Sequence, residues 1–251
     1  MGYLHHRGVH PITVGHLAEI ISGQDRLPDR PVVLTFDDGY ADFYTHALPV
    51  LTRYGFAATV YIATAFVGGR SSWLRYENET GRPMLTWAQV KELTATGVEC
   101  GGHSHTHPQL DTLPADSAAG EIRRCKSILE QQLGRAICSF AYPFGYYSLT
   151  TRRLVQDAGF TSACGVTSAR SSTADDPFAL ARIMVSNGTE LPEFAALLEG
   201  RGLPVAPRPL PARTRLRWAA RRGAMRLERS VRLEARLRNV LGVSSRAGKG
   251  R

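Results

Sequence analysis

"LTFDDGYAD", residues 34–42, decides how the rest of the chain is read. From Pro31 to Phe36 every residue but Thr35 is apolar, without alternation, as in a strand buried on both faces of a parallel sheet. The run ends on two adjacent carboxylates, Asp37 and Asp38, followed by Gly39. Asp-Gly is a common turn signal, but a turn has no need of Asp37. On extended backbone neighbouring side chains leave on opposite faces. The pair is therefore expected to divide the work, one carboxylate turning to a metal and the other facing its water. A cation nearby would keep both ionised in spite of their proximity.

Working outward, further short apolar runs occur at 57–63, 97–102, 136–142 and 160–166, with a weaker sixth at 181–185. Helical segments lie between them at 41–54, at 86–96 after Thr86 as N-cap, at 115–133, and at 148–158 after Ser148. Strands alternating with helices imply right-handed crossovers and a parallel sheet, open or closed into a barrel. Polar clusters follow three of the strands: "DDG", then "HSHTH" at 103–107, then "YPFG" at 142–145. The C-terminal ends of parallel strands share one face, where sites are assembled from successive loops. The longest loop, 64–85, has the length of a functional lid.

His103 and His107 stand four residues apart with His105 between them. Two imidazoles and a carboxylate suit a divalent metal, Zn²⁺ first, with Co²⁺, Ni²⁺ or Fe²⁺ as alternatives, and three protein ligands leave a position for water. Together "TFDDG", "HSHTH" and "YPFG" resemble, in order, the first three motifs of the polysaccharide deacetylases, the NodB-homology carbohydrate esterases, over residues 10–200. The resemblance implies a deformed (β/α) barrel and metal-dependent removal of N- or O-acetyl groups from an acetylated glycan, N-deacetylation foremost. Carried over by motif position, Asp37 is the general base, and Asp38, His103 and His107 are the metal ligands. The metal polarises the acetyl carbonyl and acidifies a water whose proton Asp37 takes. The third motif implies the backbone N–H of Phe144 as an oxyanion donor, with Pro143 and Gly145 holding the turn and Tyr142, together with Pro143, beside the sugar.

Several departures accompany the match. Ala141 stands where the third motif often carries an arginine that orients the base, and Arg182, also counted here on the substrate side of the site, is the replacement expected to supply that cation. The fourth motif, an aspartate with tryptophan, has only "DDPF" (175–178) as a stand-in, and "LPEFAALLEG" (191–200) lacks the late histidine that serves many relatives as general acid. Met1 arrives too soon for the strand that usually precedes "HPITVGHLAEII", so the expected barrel lacks its first strand or the natural start lies upstream. These departures leave a second reading, a glycan-binding protein on a weakened deacetylase scaffold. A third, from the HxH pattern of His103 and His105, is a metal phosphoesterase or amidohydrolase. Those families place HxH after the first strand and add ligands downstream, whereas no histidine follows His107.

Composition bounds the remainder. The 251 residues carry a net charge of +9, but residues 208–251 alone hold 14 Lys or Arg against 2 Glu, leaving the first 207 residues slightly acidic. That distribution gives no reason to expect a specific nucleic-acid partner for the folded part. The expected organisation is a deacetylase-like domain over 1–203, a Pro-rich linker over 204–212, and an Arg-rich amphipathic or disordered tail over 213–251, suited to weak contact with an anionic membrane. Leu216, Ala220, Ala224, Leu227, Val231 and Ala235 mark its apolar spacing. Four irregularly spaced cysteines read as buried free thiols. The N-terminus has no apolar run of the secretory kind, so the chain as given is expected to be cytoplasmic or membrane-peripheral.

Overall fold

A computed structural model describes residues 1–73, 81–207, 212–214, 216–225 and 227. Among the described residues, seven short strands form two parallel sheets. In the first, β1 (His10–Ile12) pairs with β2 (Pro31–Val33), His10 opposite Pro31 and Ile12 opposite Val33. The second has the order β3 (Thr35–Phe36), β4 (Ala58–Ile62), β5 (Val98–Gly102), β6 (Ser139–Ala141) and β7 (Ser162–Cys164). The apolar run 31–36 is thus divided at Leu34 between the two sheets, and the parallel sheet curls into the deformed barrel expected.

Two-residue alternation sorts the strand side chains between two cores. Outward, Val60, Ile62, Val98, Cys100 and Phe140 pack in one cluster with Val90 and Leu93 of α4 (Trp87–Leu93), Ile122, Cys125 and Leu129 of α5 (Ala115–Leu133) and Val155 of α6 (Leu149–Asp157). Inward, Tyr61, Ala141 and Cys164 pack with Ile12 and with Val14, Leu17 and Ile20 of α2 (Val14–Ile21). Gly101 must remain glycine, because a Cβ there would lie 2.6 Å from both Ser139 Oγ and the Tyr61 ring. Below this layer the Glu99 carboxylate accepts from Gly15 N and Thr59 Oγ1, both at 2.9 Å, so a polar group ties the start of α2 into the barrel floor.

Local chemistry sets the helix ends. Thr86 and Ser148 form capping boxes with Gln89 and Thr151. The segment expected as helix 41–54 opens with a π-helical turn, Phe43–Ala47, before α3 (Leu48–Tyr54) ends on left-handed Gly55. Sequence reading missed α1 (Gly2–His6), β1 and α2. These elements are short, and β1 shows no alternation long enough to register. β1 lies within the segment 10–21 itself, and the residues ahead of it are helical from Gly2 to His6, so among the described residues no strand precedes that segment, as expected.

The sixth strand expected at 181–185 does not form. Only Leu180 pairs, with Cys164, after which Met184 and Val185 turn to solvent. The expected linker begins too early as well. Arg170 N donates to Pro204 O, Ala206 N to Arg170 O, and Ala206 is buried, so 204–207 belong to the domain. α7 spans Leu191–Leu198. Cys100, Cys125 and Cys164 are buried and Cys138 partly so, all as free thiols.

Compact units cover Met1–Pro209 and Leu210–Arg251. In the second, residues 212–214 and 216–225 are helical, with Leu216 and Leu227 exposed. The remaining tail calls, including Val231 and Ala235, lie outside the described residues, as do 74–80 of the long loop and 208–211 of the linker. Among the described residues no helix is long and apolar enough to cross a membrane.

Candidate active site

Asp37 continues the β3 run two residues after Thr35, and the two share a partner. Arg182 Nη1 donates to Asp37 Oδ1 at 2.7 Å and to Thr35 Oγ1 at 3.3 Å, and Nη2 donates to Asp37 Oδ2 at 2.9 Å. The guanidinium fork thus grips the carboxylate with two parallel bonds. Its Nε donates to Gly165 O just beyond β7, so Arg182 spans from one edge strand of the sheet to the other. The backbone here is held by Arg182 N donating to Thr167 O and by Ala181 N donating to the Asp175 carboxylate at 3.1 Å. Burial pushes the Asp37 carboxyl up, but Arg182 and His103 outweigh it and leave the group below the ordinary carboxylate range. The same pairing raises Arg182 against its own burial.

The next residue departs from the expectation of an extended backbone with side chains on opposite faces. Asp38 sits at φ +75°, in the left-handed region. Such a conformation costs a non-glycine residue about 1 kcal/mol or more, and here it turns the second carboxylate to the same mouth as the first. Asp38 Oδ1 lies 3.2 Å from His103 Nε2 and 3.0 Å from His107 Nε2, and the two Nε2 atoms are 3.2 Å apart. Burial pushes Asp38 up, yet the two imidazoles hold it far below the usual range.

His103 follows β5 directly. Its backbone N donates to Ile62 O, and its ring Nδ1 lies 2.7 Å from Ala141 O. A carbonyl can only accept, so Nδ1 carries the proton and Nε2 presents a lone pair in the neutral ring. Ala141, which has no arginine side chain to offer, contributes its carbonyl to the site instead. The turn to His107 uses left-handed Ser104 and His107, with His107 N donating to Ser104 Oγ at 3.1 Å. Glu121 on α5 accepts from the backbone N of His105 and Thr106 and from the Thr106 hydroxyl, pinning the loop. His105 itself bonds to Thr64 Oγ1 at 2.9 Å and stands outside the cluster, which removes the basis of the HxH reading. Burial lowers the His107 imidazole; His103 is also disfavoured by burial, but Asp38 and Asp37 raise it.

Among the described residues Asp38, His103 and His107 form the one cluster of such side chains that could hold a metal ion. Their donor set fits a divalent ion. Bonds of about 2.0–2.1 Å in tetrahedral array put neighbouring donors about 3.3 Å apart, close to the separations here.

Tyr142 and Pro143, expected beside the sugar, are both buried. Tyr142 is fully enclosed, donates its hydroxyl to Phe178 O and stacks on Tyr147, so it braces the third-motif turn rather than lining a groove. Phe144 does reach the site. It is 41% exposed, lies at φ +59° and turns its ring edge-on to His107 at 4.8 Å. Arg182, expected on the substrate side, has its guanidinium occupied by Asp37. Gly145 is obligatory, since a Cβ would lie 2.1 Å from Val166.

Three participants escaped sequence reading. Trp73 stacks on His107 at 4.7 Å, but as one aromatic in a long loop it carried no pattern. Glu121 looks like any exposed helix carboxylate. Asp175 belongs to the "DDPF" segment that served only as a stand-in, and its real role is to hold the backbone beside Arg182.

Residues 24–163 match the polysaccharide deacetylase family. YxkH of Bacillus subtilis (strain 168) is 28% identical over 200 residues, which cover 79% of this chain and 67% of YxkH. The poly-beta-1,6-N-acetyl-D-glucosamine N-deacetylase of Escherichia coli (strain K12) is 30% identical over 106 residues, 41% of this chain and only 16% of that protein. Among solved structures, IcaB from Ammonifex degensii superposes with a TM-score of 0.68 at 27% identity, covering 79% of this chain and 85% of that one.

Proposed function

Because this chain belongs to the polysaccharide deacetylase family, we propose that it removes N-acetyl groups from a glycan, with Asp37 as general base at a metal centre of Asp38, His103 and His107. The β-1,6-linked N-acetylglucosamine polymer named for the Escherichia coli relative is the first substrate to test. The observation that carries the reading is the Arg182–Asp37 pair: a base that has lost its usual arginine has regained a bidentate guanidinium from the segment that follows β7. Binding without turnover has no use for that arrangement, which weighs against the glycan-binding alternative.

A divalent metal at the site supplies Lewis-acid polarisation of the acetyl carbonyl and activation of the attacking water. Arg182 keeps Asp37 ionised and aims its oxygens, so the carboxylate can accept that water's proton. Fixed through Nδ1 by the Ala141 carbonyl, His103 holds its Nε2 lone pair inward. The Phe144 N–H is the proposed donor to the oxygen on which negative charge develops. In the absence of a late histidine, Asp37 carries the captured proton to the leaving amine.

The test combines metal analysis of the purified chain with acetate release from acetylated β-1,6 and β-1,4 glucosamine oligomers. Acetate release that is lost on chelation and restored by zinc is expected. A metal-loaded protein that frees no acetate from any acetylated glycan refutes the proposal.

A further inference from the structure

The two histidines of the centre are held in different ways. His103 is oriented through its ring N–H by the Ala141 carbonyl. His107 lacks such a partner: its Nδ1 is buried and makes no hydrogen bond among the described residues. A neutral imidazole that ligates through Nε2 carries its proton on Nδ1, and metal-bound histidines normally hand that proton to a carbonyl or carboxylate.

Packing takes over that task. The indole of Trp73 lies over the His107 ring at 4.7 Å and 30°, while Phe144 and His103 meet it edge-on, each at 4.8 Å. Trp73 is itself wedged against Phe66 at 4.4 Å and Tyr40 at 6.3 Å. Its Nε1 is buried without a partner, so the residue acts here through its ring face. The segment carrying it is registered to the aspartates. Met84 N donates to Gly69 O, Ser71 N to Arg82 O, Leu85 N to Gly39 O and Ala41 N to Pro83 O. Residues 69–71 thus pair with 82–84, which in turn ride on the backbone immediately after Asp38.

We propose that Trp73 is a positioning residue for the metal centre, its indole face fixing the ring of His107 in the ligating orientation in place of the hydrogen bond that His107 lacks. The proposal rests on the metal site described above and adds to it a residue outside the three motifs. Coordination draws positive charge onto the imidazole, and an indole face is the strongest aromatic partner for a cation. The stack therefore favours the metal-loaded state over the free one, so its loss is read in metal affinity.

The experiment measures zinc affinity of the full chain by competition with a chromophoric chelator, together with the visible absorption of the Co²⁺ form. Trp73→Ala is expected to bind zinc about tenfold or more weakly, in line with outer-shell partners of metal ligands, and to change the Co²⁺ bands. Trp73→Phe, which keeps a ring face, is expected within about threefold of wild type. Trp73→Ala with wild-type affinity and an unchanged Co²⁺ spectrum overturns the clamp alone; a wild-type chain that binds no zinc overturns the metal site and the clamp together. Should Trp73→Ala unfold, Trp73→Leu fills the same gap without a π-face and is judged by the same criteria.

Discussion

Replacing Arg182 with Met removes the guanidinium fork while keeping much of its length. Breaking one side of a buried ion pair costs roughly 3–5 kcal/mol. The Arg182 side chain is 10% exposed but Asp37 retains 33%, so water reaching the carboxylate offsets part of the loss. The expected destabilisation at neutral pH is then about 2–3 kcal/mol. Titration follows the same sign. In the wild type Asp37 lies below its unfolded value, so its stabilisation is present above the ordinary carboxylate pKa and lost as pH falls through the folded value. Without Arg182, burial and the Asp38 charge push Asp37 up against the pull of His103 alone, so its folded value rises and the stabilisation it contributes above the ordinary carboxylate pKa shrinks. The gap in melting temperature between wild type and variant should therefore be narrow near pH 4 and wide near pH 7. In kinetics, about 2 kcal/mol of lost charge stabilisation corresponds to about 1.5 pH units. The acid limb of the kcat/KM profile for acetate release should move up by about that amount, with zinc affinity unchanged because Asp38 is untouched. An acid limb that stays in place refutes the assignment of Arg182 to the base.

Asp37→Asn should lower kcat by about 10²- to 10⁴-fold while zinc content, measured on the same preparation, stays at the wild-type level. Asp38→Asn should instead lose zinc in equilibrium dialysis, and chelation of the wild type should abolish acetate release reversibly. Gly101→Ala drives a methyl into Tyr61 and Ser139. Overpacking of about 1–3 kcal/mol should appear as a lower melting temperature in thermal denaturation.

The parts of this molecule that sequence disclosed are those where one physical rule acts alone. Strand β4 is an unbroken run of apolar and β-branched residues, and α4 and α6 announce themselves through Thr86 and Ser148 as caps. The proposed ligands Asp38 and His103 lie just past strand ends because parallel topology puts them there. What stayed hidden depends on distant chain segments meeting. The strand 31–36 divides at Leu34 only because two partners compete for it. Ile183–Val185 has strand composition but no neighbour to pair with beyond Leu180. Tyr142 and Phe144, adjacent but for one proline, point one into the core and the other at His107, a difference set by the left-handed backbone of Phe144. Arg182 was legible only as a cation in the right neighbourhood; its fork on Asp37 needs β3 and β7 to face each other across the curl.

That span across the curl also has a consequence for the order in which competence arrives. Asp38, His103 and His107 all lie within the first 107 residues, and the carbonyl that orients His103 comes at Ala141, whereas the guanidinium on Asp37 comes only at residue 182. As the chain leaves the ribosome, amino terminus first, the proposed ligand set is complete well before the proposed proton acceptor is paired. A nascent or carboxy-terminally clipped chain ending near Gly165 is thus expected to capture zinc with an unpaired Asp37, an ion-loaded but catalytically mute form. The segment after β7 that carries Arg182 would then convert storage of a metal into its use.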